Sequence, residues 1–289
     1  MGYLHDSLPR YPYANPPRIV EQDLGSALIL EDDVDWDIGI KAQMNRFASA
    51  AHLLLQPLAK TQSPTYLDPT FPSPPQGATY ADINVDTAPP VIEPTLSPYG
   101  DNWDVLWLGH CGTIFPAEHE QPQIPRGRAV FSDPTVPAPQ HIKFRFGTTE
   151  LVDKYPAHTR VVSHTMDTVC SLAYAVSQRG ARKILYELEV KKLTGSFDLS
   201  LRDVCDGKRG SRLNCLTAQP QYFQHHRPYG QRSTFSDINA GKDEINEVPF
   251  TRNIRWSVRM NLEKLVNGVS DLDDQFPDAA GAVVPDGVW

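Results

Sequence analysis

The chain has 289 residues, enough for one large domain or two small ones with a buried core. Charged residues make up 21% and the hydrophobic set 40%, a soluble globular composition. The formal net charge of -8 excludes nucleic acid and anionic membrane surfaces as general partners, so an anionic substrate would have to be held by a metal or by local arginines. No apolar run approaches the length of a membrane span, so no transmembrane segment is expected. The start, Met1-Gly2-Tyr3-Leu4-His5-Asp6, has no basic region followed by an apolar one, and no signal peptide is expected either.

In chain order, residues 1–17 carry Pro9, Pro12, Pro16 and Pro17 and read as an irregular arm. Arg18 to Leu24 closes a helix that Gly25 stops. Ala27 to Leu30 is too short for a helix and reads as a buried strand of a parallel sheet. Five carboxylates follow within seven residues: Glu31, Asp32, Asp33, Asp35 and Asp37. Ligands of open α/β sheets bind beyond the carboxyl ends of the strands. A carboxylate cluster there suits Mn²⁺ or Mg²⁺, which prefer oxygen ligands. It equally suits a solvated acidic loop after a core strand.

Apolar residues recur at helical spacing over Ile38 to Leu58, and Pro57 ends that helix. Residues 57–98 hold ten prolines and predict a long surface excursion without a packed helix or central strand. Trp103 to Gly109 is a second buried strand. It runs into Gly109-His110-Cys111-Gly112, where small residues allow a backbone to approach a ligand, and Gly109 and His110 become candidate ligand-binding residues. Residues 116–140 read as loop and His141 to Phe146 as a strand of alternating character. Arg160 to Ser163 and Cys170 to Val176 are strands, and Ser177 caps a helix over Arg179 to Glu189. Phe197 to Leu201 starts a short helix, Asn214 to Ala218 is a strand, and Asn253 to Val266 is a last amphipathic helix in a peripheral segment. His225-His226-Arg227 offers donors to a phosphate, though adjacent loop histidines are usually solvated. The cysteines, Cys111, Cys170, Cys205 and Cys215, form no CxxC pair and exclude the usual zinc pattern. A Cys205–Cys215 bridge is easy in an oxidising compartment, and the sequence leaves the redox state open.

Alternating strands and helices predict an α/β fold with a mostly parallel sheet. The segments Ala27-Leu-Ile-Leu-Glu-Asp-Asp-Val34, Trp103-Asp-Val-Leu-Trp-Leu-Gly109, Ala173-Tyr-Ala-Val-Ser-Gln-Arg-Gly-Ala-Arg-Lys-Ile-Leu185, Phe197-Asp198, Pro220 and Ser236-Asp237-Ile238 occur in that order. Together they resemble glycosyltransferase family 25, which holds the lipopolysaccharide and procollagen galactosyltransferases, and the Trp- and Pro-rich form looks like its fungal members. The resemblance implies a GT-A-like (Rossmann-like) fold over residues 18–240, with a Pro-rich insertion at 57–102 and a C-terminal extension at 241–289 that is partly helical before a flexible tail. It further implies a UDP-sugar donor, galactose most commonly, a glycan or protein hydroxyl acceptor, a divalent metal (Mn²⁺ or Mg²⁺), inversion at the anomeric carbon and, in eukaryotes, the secretory lumen. Glu31, Asp32 and Asp33 match the family's acidic motif, the counterpart of the DxD that holds the metal against the donor diphosphate. Asp33-Val34-Asp35 also spells DxD. Asp198 matches the acid that follows the Gly-Ala helix and is the candidate general base; by spacing alone it equally suits a carboxylate satisfying a helix N-terminus. The family's first strand, with its Asn-Leu and Arg-rich pattern, and a helix with a Cys/Ser-His element have no counterpart in residues 1–17, which predicts an uncovered strand edge or apolar surface. A non-catalytic family member acting as a binding protein is the alternative, and a metal-dependent phosphohydrolase a third reading.

Overall fold

The computed structural model describes residues 15–117, 123–191, 195–231 and 245–278. Its elements run α1 (Asn15–Glu21), β1 (Ser26–Leu30), β2 (Val34–Trp36), α2 (Ile40–Leu55), β3 (Asp82–Asn84), β4 (Val105–Gly109) and β5 (Arg128–Ser132). They continue with α3 (Glu150–Lys154), β6 (Thr159–His164), β7 (Ala173–Ser177), α4 (Gln178–Leu185), α5 (Phe197–Cys205), β8 (Cys215–Gln219) and β9 (Phe223–Arg227). Short β10 (Gly230–Gln231), β11 (Ile245–Asn246) and β12 (Phe250–Thr251) and helix α6 (Leu262–Val266) close the chain.

Ten strands form one mixed sheet whose main path is β1-β7-β4-β8-β6-β5-β3, flanked by helices on both faces. β4 is its spine, with Val105, Leu106, Trp107 and Leu108 all buried. Trp107, Tyr174 and Val176 meet Ile19 of α1, Ala181 and Ile184 of α4 and Leu201 of α5 on one face. Leu106, Leu108 and Leu216 meet Phe47, Leu54 and Leu55 of α2 on the other. The expectation of a mostly parallel sheet is corrected. Among the described residues parallel pairing is confined to β4 with β8 and β9 and to β3 with β5, whereas β1–β7, β4–β7, β6–β8 and β5–β6 are antiparallel. The continuous apolar runs report helices on both faces of the sheet, and that burial pattern carries no information on strand direction.

β1 is also not the buried strand its composition predicts. Among the described residues it lies at the sheet edge, paired to β7 alone, with Leu28 and Leu30 51% and 42% exposed. Ala27 and Ile29 turn to the α1 side. The opposite side is left as an apolar groove of about 350 Å³ lined by Leu28, Leu30, Trp36, Met44, Leu108 and Phe223, among others.

Several loop expectations give way to packed structure. Residues 57–102 are held against the sheet by a fully buried Asp68, which accepts the Thr70 and Gly127 N–H groups, by Phe71, and by β3, which pairs parallel to β5. A Cβ on Gly127 would lie 2.5 Å from the Asp68 carboxyl carbon, so this approach requires glycine. β5 arises inside the Pro-rich loop 116–140 because its Arg128 is buried, paired to Glu150 at 2.8 Å and stacked on Tyr80 and Phe115. No strand forms over His141 to Phe146, since the Asn253 side chain takes both backbone bonds of Lys143. The helix expected over Asn253 to Val266 shrinks to Leu262–Val266. The preceding residues are committed elsewhere: Asn253 has φ +60°, Arg255 pairs with Asp274 and Asp278, and Ser257 bonds Asp35. The described part of the C-terminal extension is therefore integral to the fold rather than peripheral, with β12 paired to β9. The expected irregular arm already gives way at Asn15, where α1 begins with Pro16 and Pro17 in its first turn. Residues 1–14, Ser236-Asp237-Ile238 and the last eleven residues lie outside the described residues.

Ser177 caps α4 as its sequence predicts: its Oγ accepts the Gly180 N–H at 3.0 Å. Ser177→Ala should lower stability by about 1 kcal/mol, read as a urea-midpoint shift at constant slope. Among the described residues no helix is long and apolar enough to cross a membrane.

Candidate functional site

β1, β4 and β8 run in the same direction, so the segments after their carboxyl ends gather at one end of the sheet with the segment that leads into β7. Glu31 leaves β1 there, its N–H donating to Leu172 O at 3.0 Å. The chain turns at Asp32 and Asp33 and returns as β2, antiparallel to β9, with Val34 opposite His225. That register brings ligand atoms of Glu31, Asp33 and His225 within 4.8 Å of one another. The His225 Nε2 to Glu31 Oε2 distance is 3.9 Å, and Arg227 Nη1 donates to Asp33 Oδ2 at 2.8 Å.

The electrostatics of the cluster suit a cation. Partial burial and the neighbouring charges of Asp33, Asp198 and Asp32 raise the Glu31 pKa, against a hydrogen bond from Ser171 Oγ. Burial pushes the His225 imidazole down to about 4, leaving it neutral at pH 7 with a lone pair to share. Two carboxylates and one neutral imidazole fit Mn²⁺, or Mg²⁺ with a larger share of oxygen ligands.

Asp198 stands in the first turn of α5. Its Oδ2 accepts the Cys170 N–H at 3.0 Å and its Oδ1 accepts Ser196 Oγ at 2.5 Å. These bonds fix the carboxylate beside the segment that also holds Glu31.

The other expected site residues are placed differently. Asp35 is fully buried and clamps the C-terminal segment, accepting bonds from Thr251 Oγ1 at 2.5 Å, from Ser257 Oγ and from the Arg259 N–H. It leaves the candidate metal set, because both of its oxygens are committed to these donors and it is not among the residues whose ligand atoms converge. The exposed Asp32 side chain lies outside the trio, and its backbone carbonyl accepts from Arg259. Gly109 answers to strand packing, since a Cβ there would lie 2.9 Å from the Cβ atoms of Ala173 and Phe223. His110 is buried, its Nε2 3.1 Å from Ala218 O, and burial drives its pKa to about 4. It lines a small pocket with Gln221 and Asn253.

His225 is the residue that sequence reasoning undervalued. Read as a loop residue it is solvated, whereas β9 makes it the strand partner of the residue after Asp33. All four cysteines pair, Cys111 with Cys170 and Cys205 with Cys215.

Asp37 is 1% exposed, accepting the Gly39 and Trp256 N–H groups at 2.8 and 3.2 Å. Burial outweighs those bonds and raises its pKa to about 7. The folded state therefore holds a proton that the unfolded chain, with an aspartate pKa near 3.9, releases. The resulting stabilisation is full below about pH 4 and is lost as the pH rises toward 7. The urea midpoint should thus fall between pH 5 and pH 7 more steeply in the wild type than in Asp37→Asn; parallel profiles would exclude this titration.

No family model matches this sequence, and no curated protein or solved structure is detectably similar to it.

Proposed function

We propose that this protein is a metal-dependent glycosyltransferase that moves a sugar, with galactose the expected one, from a UDP-sugar to a glycan or protein hydroxyl with inversion, on a GT-A-like fold. The observation that carries this reading is the meeting of Glu31, Asp33 and His225 at the carboxyl end of β1, with Asp198 near enough for its charge to act on Glu31. The ordered motifs from Ala27 to Asp198 support it independently.

In this reading Glu31, Asp33 and His225 hold Mn²⁺ or Mg²⁺. When bound, the ion supplies positive charge to the leaving diphosphate. Arg227, already beside Asp33, adds a second positive charge for the same phosphates. Asp198 accepts the proton of the acceptor hydroxyl as that oxygen attacks the anomeric carbon. The Cys170 N–H and the Ser196 hydroxyl hold the carboxylate in place for this step. Two disulfides suit an oxidising compartment such as the secretory lumen.

A second reading, a binding protein without turnover, is favoured by one observation. The outer edge of β1 is unpaired among the described residues, and an apolar groove opens beside it. Incubation with UDP-galactose, Mn²⁺ and a panel of hydroxyl acceptors separates these readings. Glycosylated acceptor of inverted configuration together with free UDP is the expected result. Binding without product supports the second reading, and phosphate release without sugar transfer indicates a phosphohydrolase.

A further inference from the structure

The loop after β4 and the loop before β7 are laced together below the acidic cluster. Cys111 N donates to Val169 O at 2.8 Å, Val169 N donates to Gly112 O at 3.1 Å, and the Thr113 and Thr168 hydroxyls meet at 2.7 Å. The Cys111–Cys170 bond closes this lacing. Beyond it, three consecutive residues touch Asp198 or Glu31. Cys170 N–H donates to Asp198, Ser171 Oγ reaches Glu31 Oε1 at 3.4 Å, and Leu172 O accepts the Glu31 N–H. Cys170 O in turn accepts Trp107 Nε1–H at 2.8 Å. Cys170 is held at φ +64°, a left-handed conformation that a non-glycine residue keeps only when its surroundings impose it.

We propose that Cys111–Cys170 is a redox-labile modification site that sets the position of Glu31 and Asp198. The functional consequence rests on the metal-site reading above; the structural part does not. A dithiol reductant attacks Sγ of Cys170, and Cys111 leaves as a thiolate that takes up a proton. The second thiol of the reductant then resolves the mixed disulfide. In sum, two electrons and two protons pass to the cysteine pair, and the dithiol departs as a disulfide. With the bond open, Cys170 is free to leave the left-handed region. The Cys170 N–H then turns from Asp198, and the Ser171 and Leu172 contacts to Glu31 loosen with it. The second bridge provides an internal contrast: Cys205, at the end of α5, and Cys215, at the start of β8, are each 1% exposed, whereas in the first bridge Cys111 is 6% exposed and Cys170 only half-buried. Access governs exchange, so Cys111–Cys170 is reduced first.

The test uses the full chain and a graded titration with dithiothreitol. Alkylation mass mapping follows each cysteine, amide hydrogen exchange follows residues 165–172 and Glu31, and calorimetry follows Mn²⁺. The expected result is labelling of Cys111 and Cys170 while Cys205–Cys215 and cooperative melting persist. Exchange at the Glu31 and Cys170 amides should rise at least tenfold, and the Mn²⁺ dissociation constant at least fivefold, both reversed on reoxidation. Cys111→Ser/Cys170→Ser should show the loosened exchange without reductant. Simultaneous reduction of both bridges overturns the proposal, as does selective reduction that leaves the Glu31 and Cys170 amides unchanged. If the oxidised chain binds no Mn²⁺, the metal-site reading fails, and the labelling order and exchange still decide whether this disulfide positions the two carboxylates.

Discussion

Asp198→Asn should lower sugar transfer by roughly 100- to 10,000-fold, the range over which a positioned general base acts, while leaving Mn²⁺-dependent UDP binding close to that of the wild type. The substitution is chosen for its geometry. The asparagine carbonyl can still accept the Cys170 N–H, and its NH₂ can donate to Ser196 Oγ, which accepts as readily as it donates. What disappears is the basic oxygen and the negative charge near Glu31. A helix-terminal carboxylate without a catalytic part gives the opposite pattern, a small loss of melting temperature and little loss of turnover. Steady-state rates at saturating donor, set beside UDP titrations of the same preparations, distinguish the two.

The largest stability effect is expected at Arg160, which is 2% exposed at the junction of β6 with the β8–β9 loop. Its Nε donates to Asp133 Oδ2 at 2.5 Å, its Nη1 to Pro220 O, and its guanidinium lies 4.2 Å from the centre of the Tyr222 ring. Burial alone would raise the Asp133 pKa, but Arg160 and the Thr135 donors hold it below the ordinary value. Arg160→Ala strands that carboxylate in a buried place, which costs about 3–5 kcal/mol. In a chain of this size the melting temperature should fall by roughly 10 °C. The comparison is Arg46→Ala: Arg46 pairs with Asp86 at 2.7 Å with both side chains exposed, and its loss should cost under about 1 kcal/mol. Equal losses in the two variants would contradict this account of Arg160. The Asp133 contribution to stability is present above an ordinary aspartate pKa and is lost as the pH falls through the depressed one, the reverse of Asp37.

The sequence revealed elements and concealed their neighbours. β4, β6, β7, β8, α2 and the Ser177 cap of α4 were readable because each is a local pattern: an apolar run, a helical stripe, or a hydroxyl before a helix. Strand direction was not, because an apolar run between two helical layers looks the same in either orientation. The exposure of β1 was also concealed, since Leu28 and Leu30 have the composition of a core strand and their side of the edge is left open. β5 was hidden by Arg128, whose charge breaks the strand pattern although its guanidinium is buried against aromatic rings. In the candidate site, Glu31 and Asp33 stood out as a carboxylate cluster. Asp35 carries the same chemistry but, two residues on and inside β2, serves as a buried clamp for Thr251 and Ser257, residues more than 200 positions away. His225 enters the site through a pairing with Val34 that is equally remote in sequence. Such contacts are set by the register of β2 on β9, and a single residue's slip would turn Asp35 out of its buried clamp.

The central claim is that Glu31, Asp33 and His225 form a metal site serving a nucleotide-sugar donor. Calorimetric titration of the full chain with UDP, with and without Mn²⁺, beside a Glu31→Ala/Asp33→Ala variant, tests it most directly. The account predicts UDP binding that requires Mn²⁺ and that weakens by about 100-fold or more in the variant, the upper end of what even outer partners of a metal site cost. A wild-type chain that melts cooperatively yet binds UDP no better with Mn²⁺ than without it, or a variant that binds as the wild type does, would contradict it.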